Sequence, residues 1–145
     1  CLNFLLNILM KIVIELKKVI RVFTNGCFDI LHRGHVECLR YAKEQGDYLI
    51  VGLNSDESVK RLKGATRPVN RENDRKYILE SLKYVDRVII FNEDTPYNLL
   101  LKVKPNIIVK GGDYTPEAVI GNDLAEIKIF NYIDNYSTTN IIKNI

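Results

Sequence analysis

Beyond an apolar opening stretch, the chain alternates short apolar, β-branched runs with amphipathic segments that carry helix start and stop signals. Val19–Phe23, Tyr48–Leu53, Val88–Phe91, Ile107–Val109 and Ile127–Phe130 read as strands. Gly34–Gln45 reads as a helix, with Val36, Leu39 and Tyr41–Ala42 on its apolar side and Gly46 as its stop. Ser55 is placed to cap a helix reaching about Leu62, and Asn70 to cap one reaching about Tyr84. Between them lies a polar loop, Lys63–Val69, containing Gly and Pro. Thr95–Pro96 is a cap followed by a first-turn proline, opening a helix that ends before Pro105, and Thr115–Pro116 repeats the signal. Ser137 or Thr138 caps a last helix. Continuous apolar strands, each followed by a helix, predict a parallel sheet covered on both faces. The expected fold is α/β: a Rossmann-like, doubly wound, five-stranded parallel sheet in three α/β/α layers. Such sheets bind ligands at the carboxyl ends of their strands, where strand order reverses.

Residues 2–16 look at first like a membrane or signal segment. The apolar run falls short of the roughly 20 residues a spanning helix needs, and it contains Lys11 and Glu15. Asn3, Asn7, Lys11 and Glu15 recur every fourth position, which makes one narrow polar stripe on an otherwise apolar helix. That predicts a helix buried against its own domain, a second subunit or a preceding domain. We therefore divide the chain into an amphipathic segment, 1–18, and a domain, 19–145. The opening Cys1 in place of Met reads as a fragment, a processed product or an edited sequence, with Met10 as an internal start.

Composition changes this picture little. At 145 residues, 46% hydrophobic and 27% charged, the chain is an ordinary globular domain with enough length for a three-layer core. A net charge of +3 suits phosphate-bearing ligands, but no Lys/Arg cluster argues for nucleic acid. Cys1, Cys27 and Cys38 form no CxxC pair, and so sparse an odd set fits a reducing, cytoplasmic setting.

The chemistry concentrates in Thr24-Asn25-Gly26-Cys27-Phe28-Asp29-Ile30-Leu31-His32-Arg33-Gly34-His35. This stretch leaves the first strand and opens the first helix of the domain, the place for a phosphate site. Both histidines of the chain lie here, flanking Gly34, so both can aim ring N–H donors at one phosphate near the positive end of a helix. No Cys, Asp or Glu set stands near them with metal-ligand spacing, so no protein-held metal is expected. Ser137, Thr138 and Thr139 offer hydroxyls and free amides at a second helix start. Gly111-Gly112-Asp113 follows the fourth strand at its carboxyl end, suiting base or ribose contact with Asp113 as acceptor.

His32-Arg33-Gly34-His35 resembles the signature of the HxGH nucleotidylyltransferase superfamily. Within it, the chain is similar to the adenylyltransferase domain of heptose-phosphate kinase/adenylyltransferases, the makers of ADP-heptose. The resemblance rests on FTNGCFDILH at 23–32, VGLNSDESVKRLKG at 51–64, RPVN at 67–70, the run 73–86, NEDTP at 92–96, VKGGDY at 109–114 and YSTT at 136–139. It implies transfer of AMP from ATP to D-glycero-β-D-manno-heptose 1-phosphate with release of pyrophosphate. His32, His35 and Lys63 would be catalytic, Lys63 as a mobile cation for the substrates' phosphates. Thr24, Asn25, Gly26 and Phe28 would line the nucleotide site, and Arg75 would face it. Tyr136, with Ser137–Thr139, would meet the β- and γ-phosphates. Asp29 would organise the loop rather than act as a base. The resemblance also implies Mg²⁺ arriving with the triphosphate, a homodimer seated on Leu82–Asp86, and a sugar kinase as a second domain or separate partner. Asn135 replaces a glycine common before the YSTT block, a position asparagine tolerates. The stretch 132–135 lacks the arginine usual in glycerol-phosphate cytidylyltransferases, which favours the adenylyl branch. Two alternatives stay open: a glycerol-3-phosphate-type cytidylyltransferase, and a nucleotide-binding domain without turnover.

Overall fold

The computed structural model describes residues 1–16, 18–131 and 137–145. Its strands are β1 (Arg21–Gly26), β2 (Tyr48–Asn54), β3 (Arg87–Phe91), β4 (Ile107–Gly111) and β5 (Glu126–Phe130). Its helices are α1 (Leu2–Leu16), α2 (Arg33–Glu44), α3 (Asp56–Lys63), α4 (Glu72–Glu80), α5 (Tyr97–Val103) and α6 (Thr138–Lys143), with a 3-10 turn at Pro116–Ala118. The five strands form one sheet in the order β3-β2-β1-β4-β5, every pairing parallel. The chain winds outward from β1 through β2 to β3, then crosses back and winds outward through β4 to β5. Strand order therefore reverses between β1 and β4, the point where the fold places a ligand crevice.

Alternation along the strands builds two cores, because successive side chains leave opposite faces. Val22, Leu49, Val51, Leu53 and Val109 meet Cys38, Leu39 and Ala42 of α2 and Leu79 of α4 on one face. Phe23, Ile50 and Ile108 meet Leu99 and Leu100 of α5 and Val119 on the other. The three-layer expectation holds.

Four local expectations are narrowed or corrected. The first concerns α1, which forms where its periodicity predicts; of the three covers expected for it, its own domain does not supply one, since residues 1–13 are all exposed. Both faces of the sheet are already covered by other elements. No helix among the described residues is long and apolar enough to cross a membrane. Second, Asn70 is not a helix cap. Arg71 precedes α4, and the helix stops at Glu80; the Asn70 backbone is instead bonded to Asp29 and Arg75. Third, Thr95 caps no helix, since α5 starts one residue later than the cap–proline pattern implies. Last, Gly46 is not a left-handed stop. Helix α2 ends through Gln45 in right-handed geometry. Glycine is needed at 46 because a Cβ there would lie 2.7 Å from Val22 Cγ2 and 2.8 Å from the Ile20 carbonyl oxygen.

Gly46→Ala is therefore expected to lower the unfolding free energy by about 1–3 kcal/mol, the usual cost of overpacking. Urea denaturation checks this; an unchanged midpoint would mean that the contact with β1 is slack.

Candidate active site

Between β1 and α2 the chain makes a tight loop, with Phe28 and Ile30 both left-handed at φ 46° and 54°. Such backbone costs a non-glycine residue on the order of 1 kcal/mol or more, so its surroundings must hold it. Asp29, between the two, supplies the hold. Its fully buried carboxylate accepts the Val69 N–H at 2.7 Å, the Asn70 N–H at 3.0 Å and Arg67 Nε at 3.0 Å. Its own carbonyl accepts the Thr138 hydroxyl at 2.6 Å. Burial alone would push the Asp29 carboxyl up, but the donors at Asn70, Val69 and Arg67 together outweigh it and hold it below the ordinary carboxylate value. It stays charged and organises the loop.

Arg75 completes the frame from behind. Its guanidinium is 0% exposed and donates to the carbonyls of Cys27, Asn54 and Asn70 and to Asp56 Oδ1, at 2.7 to 2.9 Å. Asp56 and Glu72 exchange backbone-to-carboxylate bonds beside it.

His32, in extended geometry, is the residue just before α2. The rings of His32 and His35 stack with centroids 3.8 Å apart, and the Phe28 ring leans on His35 at 5.2 Å. The His32 backbone N–H donates to His35 Nδ1 at 3.3 Å. That bond makes Nδ1 an acceptor, so neutral His35 carries its proton on Nε2. Burial, with the neighbouring His32, pushes the His35 pKa down to about 4, against a smaller upward pull from Asp29. Burial lowers that of His32 as well. Both rings are neutral donors near pH 7.

These groups open onto a cavity of about 780 Å³ at the carboxyl ends of β1 and β4. Of the residues singled out from the sequence, it is lined by His32, His35, Lys63, Asn25, Gly26, Phe28, Gly111, Gly112, Ser137, Thr138 and Thr139. Ser137 caps α6, its hydroxyl accepting the Asn140 N–H at 3.1 Å. Three expected residues lie elsewhere. Arg75 does not face the cavity, because its guanidinium is consumed by four acceptors behind the loop. Its carboxylate partner is Asp56. Thr24 is buried within β1, and Asp113 is exposed beyond the rim. Tyr136 lies outside the described residues. Sequence reasoning passed over Arg67, Lys110, Asn140 and an apolar wall formed by Leu62, Pro96, Tyr114, Val119 and Ile120. Lys110 carried a usable signal, a single cation between an apolar strand and Gly-Gly. The wall carried none, since its members come from four separate segments.

The cytidylyltransferase-like family matches residues 23–144. The chain belongs to this family. It is a nucleotidyltransferase domain, built on the HxGH loop just described. It is 58% identical over 125 residues to the bifunctional protein HldE of Aliarcobacter butzleri, covering 86% of this chain and 26% of that protein. It is 56% identical over 130 residues to the bifunctional protein HldE of Campylobacter concisus, covering 89% and 27%. The chain thus spans about a quarter of the length of these curated relatives. Among solved structures, the lipopolysaccharide core biosynthesis protein of Thermoplasma volcanium superposes with a TM-score of 0.66 at 36% identity, covering 82% of this chain and 99% of that one.

Two outcomes follow from this geometry. Asp29→Asn leaves Arg67 and two backbone N–H groups without their carboxylate, and should cost about 1–3 kcal/mol in urea denaturation. For His35, the unfolded imidazole takes a proton near its ordinary value of 6.5, whereas the folded one resists until about 4. Between those values the unfolded chain binds more protons, so stability falls as pH falls through that window. Denaturation midpoints of the wild type should drop from pH 7 to pH 4.5 by more than those of His35→Asn; parallel curves would show that His35 is not held neutral.

Proposed function

We propose that the cavity binds ATP and a sugar 1-phosphate, D-glycero-β-D-manno-heptose 1-phosphate, and joins them into ADP-heptose. A phosphate oxygen of the acceptor attacks the α-phosphorus, a new P–O bond forms, the bond to the β-phosphate oxygen breaks, and pyrophosphate leaves. The reaction needs no covalent enzyme intermediate, so catalysis is positioning and stabilisation of charge on the α-phosphate oxygens. The observation that carries this reading is the stacked, neutral His32–His35 pair opening α2 onto the strand-order reversal. His35, with its proton on Nε2, donates to the transferring phosphate without first losing a proton. The hydroxyls of Ser137–Thr139 suit the leaving β- and γ-phosphates. The choice of heptose rests on the sequence blocks resembling the heptose branch, on the HldE relatives and on the Thermoplasma lipopolysaccharide protein.

Magnesium fits as the companion of the triphosphate. Among the described residues no three His, Cys, Asp or Glu side chains gather to hold a metal ion. The cavity carboxylates Asp29 and Asp94 are engaged by Arg67 and Arg61. Bound magnesium would neutralise phosphate charge, while the chain's own residues hold and orient the phosphates.

Pyrophosphate release, with ATP and CTP each paired with heptose 1-phosphate and with glycerol 3-phosphate, tests the reading. Release with ATP and heptose 1-phosphate alone is expected, and chelation of magnesium should abolish it. His35→Ala should lower kcat by about 10²–10³-fold, the cost of removing one preorganised donor. Release with CTP and glycerol 3-phosphate would overturn the substrates while keeping the chemistry. No release with any pair, from folded protein, would overturn the catalytic reading.

A further inference from the structure

The cavity's cations are not equivalent. Arg67 is bound through Nε to Asp29, and Arg75 lies behind the loop, outside the cavity, bound to Asp56. Lys63 and Lys110 differ: among the described residues neither forms an ion pair. Lys63 ends α3, and Lys110 sits next to last in β4, beside β1 at the strand-order reversal. Both line the same cavity.

Lys110 is mostly shielded from solvent, and its surroundings are unusual for an ammonium. Its Nζ lies 5.6 Å from the centre of the Tyr114 ring. Among the described residues, the titratable groups that act on it are the thiols of Cys27 and Cys38 and the ammonium of Lys63, with no carboxylate among them. Burial pushes its pKa down, the two thiols oppose this, and Lys63 adds to the depression. A shielded cation with a second cation nearby and no counter-charge among the described residues is an arrangement that an incoming anion stabilises.

The cavity wall also separates two kinds of donor. The starts of α2 and α6 present neutral groups, two imidazoles and three hydroxyls. The ends of β4 and α3 present two ammoniums without an ion-pair partner among the described residues. A triphosphate arrives with magnesium, which cancels much of its charge, and neutral donors suffice to orient it. A phosphate monoester carries about −1.5 to −2 at pH 7 and brings no metal, so the protein must supply the counter-charge.

We propose that Lys110, together with Lys63, holds the phosphate monoester of the acceptor and selects phosphorylated sugars over neutral ones. This deepens the proposed nucleotidyl transfer and rests on it. Lys110 is a substrate-binding residue here: it orients the attacking phosphate and takes no proton.

The test uses the whole chain, with Lys110→Met and Lys110→Arg. In steady-state pyrophosphate release, Lys110→Met should raise the KM for heptose 1-phosphate about tenfold or more, as expected for losing one charge-assisted contact. The KM for MgATP should stay within about twofold, and Lys110→Arg should recover part of the loss because it restores the charge. A rise in the MgATP KM with the acceptor KM unchanged would overturn the proposal, as would no change in either. A second measurement needs no turnover. Calorimetric titration of inorganic phosphate and glycerol 3-phosphate into protein saturated with magnesium and a non-hydrolysable ATP analogue should show binding that Lys110→Met weakens by a similar factor. Equal binding by wild type and Lys110→Met, or none by wild type, overturns the role of Lys110. If the wild type turns over no acceptor yet binds phosphate through Lys110, the proposed reaction fails and the anion site stands. Thermal unfolding of Lys110→Met at or above the wild-type midpoint excludes misfolding as the cause, because the substitution removes a desolvated charge.

Discussion

The carboxylate of Asp29 takes its three hydrogen bonds from residues 38 to 41 positions further along the chain, and its carbonyl takes a fourth from a residue 109 positions away. One buried residue thereby joins the loop after β1, the loop before α4 and the start of α6. These are three of the segments that wall the cavity. The left-handed Phe28 and Ile30 on either side of it are held by this bonding, and with them the approach to His32. A charge buried among its donors in this way is costly to disturb, since each partner loses its only compensation. Arg75 does the same work from the other side, fastening Cys27 and Asn54, at the ends of β1 and β2, to α4 and Asp56. Two buried ions thus brace one loop.

That bracing leaves the cavity with a particular electrostatic character. The two ions that could dominate it, Asp29 and Arg75, are satisfied inside the frame and contribute little outward. What faces the ligand is a set of neutral donors kept neutral by burial and by their mutual proximity, together with two lysines that lack carboxylate partners among the described residues. Neutral imidazoles donate to phosphate oxygens without competing for a proton, which suits a transfer that needs no general base. Relatives in the cytidylyltransferase-like family match from residue 23 onward, so the braced loop and the cavity lie within the shared part. Helix α1 lies outside it, with an apolar surface that the domain leaves uncovered.

The order of elements, the parallel sheet and the location of the chemistry were legible in the sequence, because each depends on local pattern. Five apolar runs separated by helix signals specify an α/β sheet, and a Gly-rich loop with both histidines between a strand and a helix marks a phosphate site. Ser55 and Ser137 could be read as caps because a cap bonds three residues ahead. Where local pattern misled, a distant partner had intervened. Asn70 looks like a cap until Asp29 takes its N–H, Gly46 looks like a helix stop until β1 packs against it, and Arg75 looks like a ligand-facing cation until four acceptors surround it. Arg67 and Lys110 show the converse. Two cations of similar appearance in sequence are told apart only by whether a carboxylate lies within reach, and that depends on which loops the fold brings together. Sequence alone thus determined the kind of fold and the residues that could do chemistry. Tertiary structure decided which of them keep a free charge or donor, because hydrogen bonds and burial across long separations follow from how the elements pack.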